Sequence, residues 1–319
     1  MLLLLAVATT TLVRNRPIAA APRHAFVAPQ LGHLPALRVC WAEYARNETA
    51  GQAATAGFTR TSKWNITVSG LLIRHPAGDL VLDVGNSSHF RDEVEGYPFW
   101  SRLWLEQLPG SNRTVQLAPD AVRALGADPA RLRVLISHAH VDHAGGLVDL
   151  PHIPVLMAQE EKDFIEQQSG SIHVVPAQAA AMSGRITALT FTAHPYETFD
   201  ESADVFGDGS VVVVKLAGHT PGSIGTFVNL SPELRLFHIG DTVNIDEAID
   251  RSLTKSVVMA STDVDRATAD RVVARLSQLH AQDPKLQMLP AHDRHAWQQA
   301  LREPNHCLSN GDLASPAGL

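Results

Sequence analysis

The sequence predicts a layered α/β domain in which helices pack outside sheets. Three observations carry that prediction: short strand-like runs alternate with helical stretches, Gly, Pro or charged turns separate many of them, and no internal repeat organises the chain. An apolar content of 45% over 319 residues is ample for a substantial core.

The chain opens with an expected signal peptide over residues 1–21. Met1 to Val13 is apolar and Ala19-Ala20-Ala21 offers small residues for cleavage, while Arg14 and Arg16 follow the apolar run rather than precede it. Export would make the protein secreted or periplasmic; without it the chain is cytoplasmic. The apolar run is too short for a stable membrane span. A Pro/Ala-rich lead occupies 22–37, the domain is expected over 38–300, and a C-terminal tail over 301–319.

Within the domain, Asn65 to Ile73 alternates and then runs apolar, Pro76-Ala77-Gly78 turns, and Asp79 to Val84 returns, which reads as a β-hairpin ending at Gly85. Arg91 to Leu108 is irregular and aromatic. Next come a helix at Pro119 to Leu125, a strand at Leu132 to Ser137, a short strand at Pro154 to Met157 and a helix from about Gln159 to Gln168. Strands follow at Ile186 to Thr192, Val211 to Leu216, Ile224 to Asn229 and Leu234 to Ile239. Val272, Val273, Leu276 and Leu279 place an apolar stripe on a helix within Val264 to His280, and Leu286 to Leu289 is a last strand before a helix containing Trp297.

Charge narrows the function. A net charge of -7 with scattered Lys and Arg argues against nucleic acid, because neutralising phosphates needs clustered positive charge. A small-molecule substrate is expected, and nothing in the sequence signals an oligomeric state. Cys40 and Cys307 either form one disulfide or stand as two separate thiols. Five Asn-x-Ser/Thr triplets, at Asn47, Asn65, Asn86, Asn112 and Asn229, would be glycosylation acceptors in a secreted eukaryotic protein, although some fall in expected strands.

Sixteen histidines is a high count, and four ligand-type side chains crowd one loop: Ser137-His138-Ala139-His140-Val141-Asp142-His143-Ala144-Gly145-Gly146. The loop follows an apolar strand, where functional groups are commonly displayed. Neutral imidazole and carboxylate are good zinc ligands, whereas without a metal these polar groups would sit beside an apolar strand with no evident partners. His89, His152, His194 and His238 fall outside such motifs and are expected to be non-ligands.

This run resembles the HxHxDH signature of the metallo-β-lactamase superfamily, and the resemblance extends over roughly residues 60 to 300. Gly218-His219-Thr220-Pro221-Gly222 is similar to its second histidine loop, Gly240-Asp241-Thr242 to its bridging-aspartate motif, and Pro290-Ala291-His292-Asp293 to its last histidine. The resemblance implies a four-layer αβ/βα sandwich and two Zn2+ ions, with Mn, Fe or Co also suited to mixed His/carboxylate sites. It assigns one ion to His138, His140 and His219, the other to Asp142, His143 and His292, and makes Asp241 the bridge. A hydroxide shared by the ions would attack a carbonyl, with Asp142 orienting or shuttling a proton. Asp83 matches the family's strand-end aspartate, which could orient ligands from behind.

The text Phe206-Gly207-Asp208-Gly209-Ser210 before a valine strand, with His292-Asp293, is most similar to the N-acyl-homoserine lactonase-like branch. Lactone or ester hydrolysis is therefore expected, with β-lactamase or thioester hydrolase as alternatives and a non-catalytic secreted metal-binding protein as a reading of another class. Two positions depart from that branch: Asn244 stands where its members carry a substrate-holding Tyr, and Ser223 where they commonly carry His. Tyr97, Phe99, Trp100 and Trp104 are candidates for a substrate lid, or else rings packed beneath the N-terminal segment.

Overall fold

Alternation along the strands decides the architecture, because odd and even residues of the same strand enter different cores. In β1 (Arg38–Asn47), Val39 and Trp41 share a core with Leu71 and Ile73 of β2 (Ile66–His75) and Leu80 and Leu82 of β3 (Gly78–Leu82). Their neighbours Cys40, Ala42, Leu72 and Val81 point the other way, into a second core. Both faces of this sheet are therefore apolar, as expected when helices cover one side and a second sheet the other.

The computed structural model describes residues 14–19, 22–47, 65–107 and 112–311, except for the side chains of Trp104 and Gln107. The short β4 (Arg113–Thr114) pairs with β1, and β5 (Leu132–Leu135), β6 (Val155–Met157) and β7 (Ile186–Ala188) follow β3 in parallel. With β13 (Cys307–Ser309) the first sheet runs β13-β1-β2-β3-β5-β6-β7. The second contains β8 (Ala203–Asp204), β9 (Val211–Lys215), β10 (Ile224–Asn229), β11 (Arg235–His238) and β12 (Gln287–Leu289), in the order β12-β11-β10-β9-β8.

Val211 and Val213 of β9, Ile224 and Val228 of β10 and Leu236 of β11 close the inter-sheet core. On the outer face of the first sheet pack helices Ala118–Ala124, Gln159–Gln168 and Pro176–Met182, through Ala121, Phe164 and Met182. On that of the second packs helix Arg266–Gln282, through Val273, Leu276 and Leu279. This is the four-layer αβ/βα sandwich. Helix Arg294–Leu301 instead sends Trp297 into the inter-sheet core, where its ring centroid lies 5.7 Å from that of Trp41. Both indoles are satisfied, Trp41 donating to Ser69 Oγ and Trp297 to the Pro290 carbonyl.

Sequence periodicity missed β1, since a strand buried on both faces does not alternate polar with apolar. The region expected as a tail from 301 contributes β13, and Cys307 is disulfide-bonded to its register partner Cys40. Residues 1–13, 20 and 21 of the expected signal peptide lie outside the described residues, while Arg16 and Ile18 hydrogen-bond with Thr254 and Ser252 on the body. Of the glycosylation triplets, Asn47, Asn86 and Asn229 are buried, which withdraws their side chains from a glycan-transferring enzyme.

Candidate metal centre

Asp83 stands immediately after β3, and the parallel pairing of β3 with β5 sets it beside the loop that leaves β5. One carboxylate oxygen accepts from the Ser137 backbone N–H at 2.7 Å; the other accepts from Ser137 Oγ at 2.7 Å and from His143 Nδ1 at 2.9 Å. The residue adopts a left-handed φ of 58°, a strained conformation that these three bonds hold in place.

The other loops are clamped just as tightly. Gly218, at φ 140°, passes so close to helix Arg266–Gln282 that a Cβ there would lie 2.4 Å from the Ala269 nitrogen. The following His219 is thereby delivered inward, its Nδ1 donating to Asp263 Oδ1 at 2.7 Å. Lys255 pairs with the same oxygen at 2.5 Å. His292, just beyond β12, donates from Nδ1 to the Thr67 carbonyl at 2.7 Å. The adjacent Asp293 caps helix Arg294–Leu301 and accepts from the Asp246 N–H at 2.9 Å, tying this loop to the one that follows Asp241.

These loops bring all seven expected ligands together in two groups. Ligand-type atoms of His138, His140, His219 and Asp241 lie within 4.8 Å of one another, as do those of Asp142, His143 and His292. His140 Nδ1 is 3.1 Å from His138 Nε2 and 2.9 Å from His219 Nε2. The outer nitrogens fix the tautomers. His138 Nδ1 faces Ser137 Oγ at 3.2 Å, His219 Nδ1 faces Asp263, and His140 Nε2 faces His173 Nδ1 at 2.9 Å. With the hydrogens assigned to the outside, three lone pairs converge, an arrangement that a cation satisfies. Zinc–nitrogen bonds of about 2.0–2.1 Å would set tetrahedral ligands about 3.3 Å apart, close to the spacing present.

Asp241 joins the groups. Its Oδ2 lies 3.5 Å from His219 Nε2 and 3.2 Å from His292 Nε2, and its Oδ1 lies 3.2 Å from His143 Nε2. Asp142 Oδ2 is 3.3 Å from His292 Nε2. Asp241 Oδ1 and His143 Nε2 are buried and 3.2 Å apart without a well-aligned hydrogen bond to each other or to any other described residue, as expected of atoms built to face an ion. The residues therefore fit a pair of metal ions.

Electrostatics separates the groups. Burial, reinforced by neighbouring rings, holds the pKa values of His138 and His140 well below that of free histidine, and burial with Lys255 lowers His219. For His292 burial works the same way, but Asp241 and Asp142 outweigh it and raise the ring to about 9. Asp241, Asp142 and Asp83 likewise hold His143 well above its usual value despite burial. Asp241 itself lies well below the carboxylate range, because His292 and His143 overcome its desolvation. The three rings of the first group are thus neutral nitrogen donors, whereas the two rings of the second are paired with carboxylates.

An open cavity lies over both groups. His140, Asp142, His219, Asp241 and His292 form its floor, Val68, Leu105, Val141, Ile172 and Met259 its apolar wall, and Tyr97, Asn244 and Lys255 add polar groups. From the candidate lid, Tyr97 reaches the cavity, whereas Phe99 and Trp100 stand 61% and 76% exposed and pack edge-to-face on each other. Among the described residues they neither line the cavity nor pack beneath another segment. The side chain of Trp104 lies outside the described residues. His89, His152, His194 and His238 belong to neither ligand group; His238 is fully buried 3.8 Å from Asp83, and burial lowers it to about 4.

Sequence reasoning missed four supporting residues: His173, Asp263, Lys255 and Glu161. Glu161, fully buried, accepts from the Ala139 N–H at 2.6 Å, Thr220 Oγ1 at 2.7 Å and the Gly222 N–H at 3.0 Å, and so staples the first histidine loop to the second. Gly222 is needed for that approach, since a Cβ there would lie 2.1 Å from the Glu161 nitrogen. Only a glutamate two residues into a helical pattern, Gln159-Glu160-Glu161, stood in the sequence to mark it.

A helix–sheet–sheet–helix sandwich with paired His/Asp clusters at strand ends defines a class of metallo-hydrolase. The chain belongs to the metallo-beta-lactamase superfamily, whose family profile matches residues 66–304. It is 26% identical over 249 residues to the N-acyl homoserine lactonase AttM of Rhizobium radiobacter, covering 76% of this chain and 87% of that protein. The AttM of Agrobacterium fabrum matches at 26% over 246 residues, again 76% of this chain and 87% of the relative. Among solved structures, an N-acyl homoserine lactone hydrolase with the product N-hexanoyl-L-homoserine at its catalytic metal centre superimposes with a TM-score of 0.61, at 13% identity, over 83% of this chain and 97% of that one. AidC, a dizinc quorum-quenching lactonase, does so with a TM-score of 0.52 at 18% identity, over 84% and 90%. The chain is a lactonase-like hydrolase of the superfamily.

Proposed function

We propose that this protein opens a lactone, or cleaves a related ester, of a small molecule with an aliphatic portion, using two metal ions. The observation that carries the reading is the convergence of His138 Nε2, His140 Nδ1 and His219 Nε2 on one point, with Asp241 between them and His143 and His292. His138, His140 and His219 would hold one ion and Asp142, His143 and His292 the other, with Asp241 shared. When bound, such a pair, zinc or alternatively manganese, iron or cobalt, supplies Lewis acidity and a water of lowered pKa. The lactonase relatives favour a lactone as substrate.

The chain's own residues supply the rest. Asp142 lies on the cavity floor and is placed to orient the attacking water and pass its proton towards the leaving oxygen. Asp83 and Asp263 fix the tautomers of His143 and His219, so that each ring presents Nε2 inward. The apolar wall of Val68, Leu105, Ile172 and Met259 suits an acyl substituent, and Asn244 lines the same cavity.

The test is a hydrolysis screen of the zinc-loaded protein across acyl lactones, aryl esters, thioesters and a chromogenic cephalosporin. Preferred lactone turnover supports the proposal. Faster cephalosporin or thioester cleavage replaces it, and no turnover on any panel leaves a metal-binding protein without catalysis. We also propose export to an oxidising compartment, which the Cys40–Cys307 disulfide favours. The mass of the mature chain tests it, and an unprocessed, cytoplasmic protein would reject it.

A further inference from the structure

We propose that Tyr97 is a catalytic residue whose phenol donates a hydrogen bond to the substrate oxygen that gains negative charge as the acyl carbon is attacked. This rests on the hydrolase reading and adds a donor from outside the ligand loops.

Its placement follows from local structure. Tyr97 closes the short turn Val94–Gly96, its backbone N–H donating to the Val94 carbonyl at 3.0 Å. The ring packs against the apolar cluster of Phe90, Val94, Val141 and Val175. Because Val141 immediately precedes Asp142, that cluster fixes the ring on the Asp142 side of the cavity, and Tyr97 lines the cavity.

The hydroxyl itself is the informative atom. Tyr97 Oη is buried and has no hydrogen-bond partner among the described residues, a condition that ordinarily costs about 1–3 kcal/mol. The unaligned atoms of the metal centre, His143 Nε2 and Asp241 Oδ1, are accounted for by an ion. A phenol O–H is not: it needs an acceptor. Burial, with Asp142 and Glu93, raises the phenol above its usual range, so it keeps its proton at neutral pH. Lys255, the cavity's other strong donor, is already engaged by Asp263. A substrate carbonyl oxygen over the floor is the acceptor this geometry lacks. A donor aimed where charge develops favours the transition state over the bound substrate, so its loss appears in kcat.

The experiment compares the wild type with Tyr97→Phe and Tyr97→Leu on the best lactone of the screen, with metal content and melting temperature measured on each. Tyr97→Phe is expected to lower kcat by about 10²–10³-fold with KM within about threefold, two ions still bound and an unchanged melting temperature. Tyr97→Leu should lose kcat to the same degree. A cyclic phosphonate mimicking the tetrahedral geometry should bind Tyr97→Phe at least about tenfold more weakly, and the hydroxy-acid product equally well. Tyr97→Phe with kcat within threefold of wild type overturns the proposal, as does a loss confined to KM or to metal content. A wild type that turns over no substrate overturns both this inference and the hydrolase reading, whereas an active wild type with an equally active Tyr97→Phe removes only the inference.

Discussion

The floor and the wall of one cavity treat their polar atoms in opposite ways. On the floor every ligand-type ring has an outer partner: Asp83 for His143, Asp263 for His219, the Thr67 carbonyl for His292, His173 for His140 and Ser137 for His138. On the wall, Tyr97 Oη has none among the described residues, and the nearby Phe99 and Trp100, outside the lining, face solvent. The floor is organised before anything binds, as a site that must hold dications in fixed geometry requires. The wall is held mainly through its apolar backing, and in the reading proposed above the Tyr97 hydroxyl finds its acceptor in the substrate.

The largest effect should come from breaking the floor at its centre. Asp241→Asn removes the charge shared by both groups while keeping the side-chain shape. It should lower kcat by more than about 100-fold, beyond the 10–100-fold that outer partners cost, and leave fewer than two ions per chain. Elemental analysis alongside the lactone assay checks it, and full turnover with two ions retained would show that the groups do not need a bridge.

Outer partners come next, and they separate the two groups. Asp83→Asn disturbs His143, whereas Asp263→Asn disturbs His219 and releases Lys255. Each should weaken metal binding by about 10–100-fold, the first for the His143 ion and the second for the His219 ion. Stepwise titration with cobalt reads this as loss of one or the other spectral transition. Identical titrations for both variants would mean the groups fill as one site.

The same contrast explains what the sequence revealed. His138 to His143, His219, Asp241 and His292 were legible because metal chemistry dictates both residue type and position at strand ends, and the hairpin and the helix at Gln159–Gln168 were legible from turns and periodicity. Partners such as Asp263, His173 and Glu161 were not, since any element that packs nearby can supply an acceptor and no spacing rule marks it. β1 was hidden by burial on both faces, and the helix at Pro176–Met182 by its run of alanines, which carries little amphipathic contrast. The aromatic segment read as one unit, yet its alternate rings face different surroundings: Tyr97 the cavity, Trp100 the solvent.

Glu161 gives a smaller effect with a definite sign. Burial raises its carboxyl to about 7, although Thr220, Ala139 and Gly222 donate to it and oppose the shift. A carboxyl raised in the folded state binds more protons folded than unfolded between its ordinary value near 4.5 and about 7, so stability falls as pH rises through that window and levels off above it. Glu161→Gln lacks this titration. Its melting temperature relative to wild type should therefore climb by about 2 °C or more from pH 4.5 to 7, then stay constant. A difference flat across that range would place the proton elsewhere.

Trp100→Ala should do least, and it tests whether the aromatic segment joins the wall. Were the aromatic segment a closing lid, removing its largest ring would raise KM for long acyl chains more than for short ones. Trp100 is 76% exposed and its ring meets that of Phe99 edge-to-face, Phe99 itself being 61% exposed, whereas Leu105 and Ile172 already line the cavity. Substitutions at such surface positions usually change free energy by no more than about 0.5 kcal/mol. KM should accordingly stay within about twofold of wild type for every chain length, while Leu105→Ala raises it progressively as the chain lengthens. A chain-length-dependent rise in Trp100→Ala would mean that this ring swings over the cavity when substrate binds, and that the wall, like the hydroxyl of Tyr97, is completed only then.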